Sequence, residues 1–457
     1  LVMGLGSFGG GVGVVRYLAQ QGARVLATDL RRAEELAPAL TALADLDVEY
    51  VLGEHRERDF DAAELVIANP AVAPSNALLE RARARGARIS SEMELFLEAC
   101  PARVIAITGT QGKSSTSAFT AQLLEHSGIP VHLGGNIGRS LLDATAAMRA
   151  DDWCVVEISS YQLEALAAPA ALTARVAAVC IVNVLADHLE RHGTLDAYRA
   201  AKLRILQLVA DDGVALLPGC DERLATAPLA RGRRELYWPP DAARQPSAAQ
   251  RAAGWHVDAG SFRCGALEVG FVADFAVPGR FQRGNALAAL ALARAAGAAP
   301  ERLRAAIPRL AGLEYRMQEL GVRAGHRVID NGVSTTPDST LAALADMREP
   351  VVLLCGGKAK NLPLDELVEC ARSKVALALC FGAAAEPLAR AFAARGVDAQ
   401  AVADVPTAVA RAFERAREGQ AILFSPACAS FDAYLNFEQR AQHFRACLPP
   451  RDGGAAG

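Results

Sequence analysis

The stretch Thr108-Gly109-Thr110-Gln111-Gly112-Lys113-Ser114-Ser115 brings together the groups needed to hold a nucleoside triphosphate. Glycines at 109 and 112 let the backbone turn successive N–H groups toward phosphate at the start of a helix. Lys113 supplies a cation for the β- and γ-phosphates, and Ser114 offers a hydroxyl to Mg²⁺. The strict spacing of the phosphate-binding loop fails, because Ile107 stands where its first glycine belongs, so this is a compact variant. Such a loop needs a metal partner at the end of a neighbouring strand, and the apolar run 153–156 ends in Glu157. Asn183 closes another apolar run, with Asp187-His188 behind it on the loop. The helix predicted over 194–208 carries Lys202 on a face with Tyr198 and Ile205. Taken singly, a loop histidine is ordinarily solvated and a helical lysine is ordinarily surface charge.

A second glycine-rich turn, Gly4-Leu5-Gly6-Ser7-Phe8-Gly9, lies between a strand and a helix, and Asp29 ends the strand that follows. This is the dinucleotide fingerprint in outline. It suits a nucleotide-type ligand first, a merely structural turn second and NAD last. Three polar loops follow apolar strands toward the C-terminus: Asp330-Asn331-Gly332 with Thr335-Thr336-Pro337, Cys355 through Lys360, and Ser425 through Asp432. Loops of this kind on one sheet edge form an anion-binding cleft or a set of ordinary turns.

These groups need parallel sheets to position them. Short runs rich in Val, Ile and Leu alternate with longer segments of helical period, which predicts an α/β chain of three domains. They are a Rossmann-like N-terminal domain (1–91), a central P-loop-type ATPase domain with a mostly parallel sheet (92–312) and a Rossmann-like C-terminal domain (313–457). Strands are predicted at 1–3, 24–28, 65–68, 104–107, 153–156, 176–182, 214–217, 328–329, 351–354, 375–381 and 422–424. A helix is predicted over 285–296, hairpins and loops over 236–275, and a disordered tail from 449. The length of 457 residues fits two to four domains. No apolar run is long enough to cross a bilayer, and the net charge of -3, without charged blocks, argues against nucleic acid as a partner. Ten scattered cysteines without a C-x-x-C pair argue against a zinc knuckle or disulfide framework and fit a reducing cytoplasm. Leu1 already stands inside an apolar run, so a few residues are expected ahead of it.

Read together, TGTQGKSS (108–115), GGNIG (134–138), EISSYQLE (157–164), DH (187–188), YRAAKLRI (198–205) and SPACASFDAYLNFEQR (425–440) resemble the Mur ligase family in order and spacing over nearly the whole chain. The first string alone is shared with folylpolyglutamate synthases; the last is similar to the glutamate-adding branch. The resemblance implies an ATP-dependent amide ligase of peptidoglycan precursor synthesis. Its substrates would be UDP-N-acetylmuramoyl-L-alanine and D-glutamate, with two Mg²⁺ ions, a carbamylated lysine and a monomeric, cytoplasmic protein.

Carried over by residue, Gly4, Gly6, Ser7, Phe8, Gly9, Asp29, Asn69, Asn136, Ser159 and Gln162 would meet the UDP-sugar. Gly109, Thr110, Gln111, Gly112, Lys113, Ser114, Ser115, Gln282, Asn285, Arg316 and Asn331 would meet ATP. Ser114, Glu157, His188 and Lys202 would serve the metal, the last as a carbamate, and Lys113, Glu157, His188 and Lys202 would be the catalytic set. Thr335, Lys360, Ser430, Phe431 and Phe437 would form the glutamate pocket. This chain departs from the family's common D-S-K-A-T-N, reading Asn331-Gly332-Val333-Ser334-Thr335-Thr336, so the acid and the lysine are lost there. Tyr315 replaces a usual histidine, Gln282 a usual asparagine, and Lys358 is an added cation. An NAD-dependent oxidoreductase and a non-catalytic nucleotide-binding descendant are the alternatives from other classes, and a different acceptor amino acid is the alternative within the ligases.

Overall fold

The computed structural model describes residues 1–6, 10–137, 140–167, 169, 172, 176–360 and 362–452. Ser7, Phe8 and Gly9 of the first glycine-rich turn, Gly138 of the GGNIG string and 453–457 of the tail lie outside the described residues. Two compact units are present, one comprising Leu1–Phe275 with Arg283–Leu310, the other Ala276–Gln282 with Ala311–Gly457. The fold class is α/β, with three mostly parallel sheets.

In the first unit, a five-stranded parallel sheet runs in the order Val48–Leu52, Val25–Asp29, Val2–Met3, Leu65–Ala68, Arg88–Ser90. The order reverses between Val2–Met3 and Leu65–Ala68, and a crevice opens at the carboxyl ends of strands at such a point. A nine-stranded sheet follows in the order Leu267–Phe271, Ser261–Cys264, Trp255–Asp258, Arg233–Tyr237, Val214–Pro218, Val176–Ile181, Arg103–Thr108, Trp153–Glu157, Val131–Gly135. Only its first three strands meet antiparallel. Arg103–Thr108 lies between Trp153–Glu157 and Val176–Ile181, in register with both, which brings their carboxyl ends to one edge. The inner strands of this sheet, Arg103–Thr108, Trp153–Glu157, Val176–Ile181 and Val214–Pro218, are largely buried on both faces and therefore read as near-continuous apolar runs in the sequence. Helix Arg280–Ala295 buries Ala286 through Ala293 without a break, as a helix apolar on all sides must.

The second unit has a six-stranded sheet in the order Gln318–Arg323, His326–Asp330, Ala421–Ala427, Val351–Gly356, Val375–Phe381, Ala399–Ala401. The first pair is an antiparallel hairpin and the rest is parallel. Apolar clusters fill both faces of this sheet. Asp330, Gly356 and Ala427 end adjacent strands, so the three polar loops leave from one edge.

The structure corrects several of the predicted elements. The 236–275 segment holds hairpins, but it also holds helix Ala248–Ala253, and its Trp255–Asp258 strand extends the central sheet parallel to Arg233–Tyr237. The helix expected over 194–208 is α-helical only at Leu195–Leu203 and tightens into a 3₁₀ turn at Arg204–Gln207. The tail expected to be disordered is pinned as far as Asp452. Its carboxylate accepts the Ala324 and Gly325 N–H groups at 2.9 and 2.7 Å, and its own N–H donates to the Val322 carbonyl at 2.9 Å.

Candidate active site

The turn after Arg103–Thr108 leads directly into helix Lys113–His126, with Gly112 at its start in the left-handed region at φ 78°. A Cβ at Gly112 would strike the Asn285 side chain, and one at Gly109 would come within 2.9 Å of Val182 Cβ, so both glycines are sterically required. Lys113 Nζ donates to the Thr110 carbonyl at 3.0 Å. Asn285, on helix Arg280–Ala295, lies with Oδ1 3.4 Å from Thr116 Oγ1.

Glu157 ends its strand almost wholly buried. Its Oε1 accepts from Asn136 Nδ2 at 2.8 Å, while Oε2 is buried with no hydrogen-bond partner among the described residues. Thr108 Oγ1 and Ser115 Oγ are buried in the same condition. Leaving such atoms unsatisfied in a folded interior costs free energy, a carboxylate oxygen most of all.

Lys202 is also buried, at 1% exposure. Its Nζ donates to the Gly109 carbonyl at 2.7 Å and lies 4.5 Å from the centre of the Tyr198 ring. Burial, followed by the charge of Lys113, depresses its basicity well below that of an ordinary lysine, and the charges of Asp187 and Glu157 only partly offset this. The bland expectation of a surface lysine is therefore overturned. His188 adopts φ 53°, with Nε2 3.5 Å from Asp187 Oδ2 and Nδ1 3.3 Å from the Tyr161 hydroxyl. Burial pushes that phenol up to about 12.

Ser159 and Gln162 form a capping box for helix Ser160–Ala165: Ser159 Oγ accepts the Gln162 N–H at 3.2 Å, and Gln162 Oε1 accepts the Ser159 N–H at 2.8 Å. Each of these side chains, expected at the sugar, thus accepts the backbone N–H of the other residue. Among the described residues no three His, Cys, Asp or Glu side chains converge in the manner of a ready-made metal site.

At the switch point of the first sheet, Asn69 stands over the glycine-rich turn. A Cβ on Gly6 would approach its Nδ2 to 2.9 Å, and Asn69 Oδ1 accepts the Ala71 N–H at 3.0 Å. Asp29 clasps the turn through the Leu5 N–H at 2.9 Å and is itself paired with Arg31 at 3.0 Å. Burial pushes the Asp29 carboxyl up, but the hydrogen bonds and charge of Arg31, with the Leu5 N–H, outweigh it and hold the group below the usual carboxylate range.

In the second unit, buried Arg440 donates to the carbonyls of Gly356 (3.3 Å), Cys428 (2.9 Å) and Gly332 (3.3 Å), tying all three polar loops together. Ser430 is buried and Thr335, Lys360 and Phe437 are half-buried at the same edge, while Phe431 is 66% exposed. Phe437 meets Tyr315 edge to face at 6.3 Å between ring centres. Arg316 is half-buried on the neighbouring loop, and Gln282 is fully buried.

Asn331, expected among the nucleotide contacts, is buried with its amide engaged at both ends. Nδ2 donates to Ser425 Oγ at 3.0 Å and Oδ1 accepts the Met317 N–H at 3.3 Å, so the side chain braces loops of its own unit. The acid that the D-S-K-A-T-N comparison shows as lost has a neighbour in Asp330, which is buried and paired with Arg445 at 2.6 Å. Sequence reasoning passed over Arg31, Arg440 and the side chain of Asn183; the only available signal was their place at strand or motif ends.

Three family profiles match in sequence order: the Mur ligase MurD-like N-terminal domain over residues 1–91, the Mur ligase middle domain over 107–293 and the Mur ligase glutamate ligase domain over 315–428. The UDP-N-acetylmuramoylalanine–D-glutamate ligase of Roseiflexus sp. (strain RS-1) is 38% identical over 97% of this chain and 97% of its own. The ligase of the same name from Geotalea uraniireducens (strain Rf4) is 33% identical over 100% and 98%. Among solved structures, the UDP-N-acetylmuramate-alanine ligase MurC of Thermotoga maritima aligns with a TM-score of 0.63 at 18% identity, over 97% of both chains. The MurF ligase of Thermotoga maritima in complex with ADP aligns with a TM-score of 0.58 at 14% identity, over 94% of this chain and 96% of that one. At these identities the two structures testify to the shared fold.

Proposed function

The chain belongs to the Mur ligase family, and from that premise we infer that it is an ATP-dependent ligase joining D-glutamate to the L-alanyl carboxylate of UDP-N-acetylmuramoyl-L-alanine, a step of peptidoglycan precursor synthesis. The structural observation that supports this most is the meeting, at one sheet edge, of the phosphate loop, the buried Glu157 and the buried Lys202. Domains are proposed at 1–91 for UDP, 92–312 for ATP and the ligase chemistry, and 313–457 for the amino acid.

A carboxylate resists attack by an amine, so it must first be activated. The L-alanyl carboxylate oxygen attacks the γ-phosphorus of ATP, the bond to the β,γ-bridging oxygen breaks, and an acyl phosphate and ADP result. Lys113 offsets the phosphate charge, and the amides at the start of helix Lys113–His126 receive the anion. The D-glutamate amine then attacks the acyl carbonyl. The tetrahedral adduct expels phosphate and loses a proton, leaving the amide. Thr335, Lys360 and Ser430 offer donors and a cation to the glutamate carboxylates, with Phe437 as an apolar wall.

Glu157 Oε2, without a hydrogen-bond partner among the described residues, and a basicity-depressed Lys202 fit a cation at this edge. Ser114, Glu157, His188 and a Lys202 carbamate are the proposed holders. Mg²⁺ there would neutralise phosphate charge. Forming the carbamate requires a neutral amine: Nζ adds to the carbon of CO₂ and releases a proton. Burial shifts Lys202 toward the form that can do so.

The test is phosphate release with the UDP-sugar–alanine substrate, ATP and Mg²⁺, comparing D-Glu, L-Glu, D-Asp and meso-diaminopimelate. D-Glu is expected to be fastest, because the two carboxylates of only one enantiomer reach fixed donors while its amine faces the acyl carbon. A faster rate with any other acceptor rejects the specificity. Absence of phosphate release with all four rejects the ligase reading.

A further inference from the structure

Which amides of the phosphate loop can face an anion is decided by what already holds the others. An asparagine carboxamide offers an oxygen with two acceptor sites and a nitrogen with two donors. Both ends of Asn183 are committed to the loop: Oδ1 accepts the Thr110 N–H at 3.1 Å and the Gln111 N–H at 2.9 Å, and Nδ2 donates to the Gln111 carbonyl at 3.2 Å. The Asn183 carbonyl shares the Thr110 N–H at 3.0 Å. The clasp is reciprocal, for Thr110 Oγ1 accepts the Leu185 N–H at 2.9 Å and donates to the Leu185 carbonyl at 3.3 Å. Val182, the residue before Asn183, is the side chain against which Gly109 closes, and it lies against Gly112 beside Asn285.

This accounting changes the expectation that successive amides after Gly109 all turn to phosphate. The 110 and 111 amides point into Asn183, so anion reception begins at Gly112, where the helix opens and the first helical bond is Thr116 N–H to the Gly112 carbonyl. The loop that provides Asn183 continues into Asp187 and His188, so the same clasp fixes the phosphate loop relative to that pair. We infer that Asn183 is a positioning residue for phosphoryl transfer: its carboxamide shapes the 109–112 turn and registers it against the Asp187-His188 loop. The inference rests on the ligase reading for its consequence, though not for its geometry.

The test uses full-length Asn183→Ala and Asn183→Asp. Amide hydrogen exchange in the ligand-free protein is expected to accelerate at Gln111 in Asn183→Ala, and less at Thr110, whose N–H keeps the backbone carbonyl at 183, with the flanking strands exchanging as in the wild type. Protection should largely return in Asn183→Asp, which keeps the acceptor. In turnover, Asn183→Ala should raise the ATP KM roughly 10- to 100-fold while the KM values for the UDP-sugar substrate and D-glutamate stay within about twofold. Wild-type exchange at 110 and 111 in Asn183→Ala overturns the inference, as does an equal rise in all three KM values. If Asn183→Ala does not fold, Asn183→Asp decides alone, and fast exchange at 110 and 111 in that variant overturns it. Should the protein release no phosphate with any acceptor, exchange and calorimetry with ADP still judge Asn183, and only the ligase reading falls.

Discussion

Lys113 and Lys202 both donate to carbonyls of the 108–115 loop, yet their surroundings differ. Lys113 is at a helix start with its ammonium on the Thr110 carbonyl, and it is proposed to meet the charge that arrives with ATP. Lys113→Ala should therefore fold normally and lose about 10²-fold or more in kcat, measured as phosphate release against thermal melting; more than a tenth of wild-type activity would remove it from the site. Lys202, buried and weakly basic, is proposed to act as a carbamate. Lys202→Ala should be nearly inactive and partly restored by small carboxylates that occupy the vacated volume, and full activity of that variant in bicarbonate-free buffer would exclude the role. The glycines and lysine of 108–115 were legible because their chemistry is written in residue type. The burial of Lys202 was not, since a helical lysine has the same pattern whether it faces solvent or a sheet edge. Asn331 shows another limit: the resemblance set it among the ATP contacts, and only the fold shows that both ends of its amide are engaged with loops of its own unit.

At the scale of elements, apolar periodicity located the long buried strands, and it failed where elements are short or amphipathic. Arg88–Ser90 and Ala399–Ala401 are three-residue strands whose neighbours, more than their own residues, make them strands. Helix Arg280–Ala295 begins before its predicted start, because its opening residues Arg280 to Gly284 are mostly polar and include a glycine. The link between turn and strand in the first sheet is likewise tertiary. Asp29 holds the Leu5 N–H, and its carboxyl is depressed in the fold. A carboxyl depressed by folding adds stability above its unfolded value, near 4, and that stability is lost as pH falls through the folded value. Asp29→Asn should accordingly be less stable than the wild type at pH 7, and the gap should close as pH drops below about 4. Urea unfolding across that range measures it; a gap that widens on acidification would contradict the assigned clasp.

At the scale of the whole molecule, alternation of strand and helix announced three sheets, but no composition shift marked the chain's path between its two units. The path leaves the first unit at 276, returns at 283 and leaves again at 311. Residues 276–282 are thus a part of the second unit set apart in sequence: Phe281 packs against its core, and Arg280 holds Asp346 through N–H and Nε at 2.8 and 3.0 Å. A fragment starting at 311 should be less stable than one in which 276–282 is joined ahead of it by a short linker, by about 2 kcal/mol for the lost aromatic burial, as read by thermal melting of the two fragments; equal melting would show the segment to be dispensable. During translation the same arrangement becomes a matter of timing. Arg280 leaves the ribosome 66 residues ahead of Asp346. At about 5–20 residues per second the first unit can be completed while this short segment waits roughly 3 to 13 seconds for its partner. In that interval Phe281 is an exposed aromatic on a nascent chain, the kind of surface a chaperone binds.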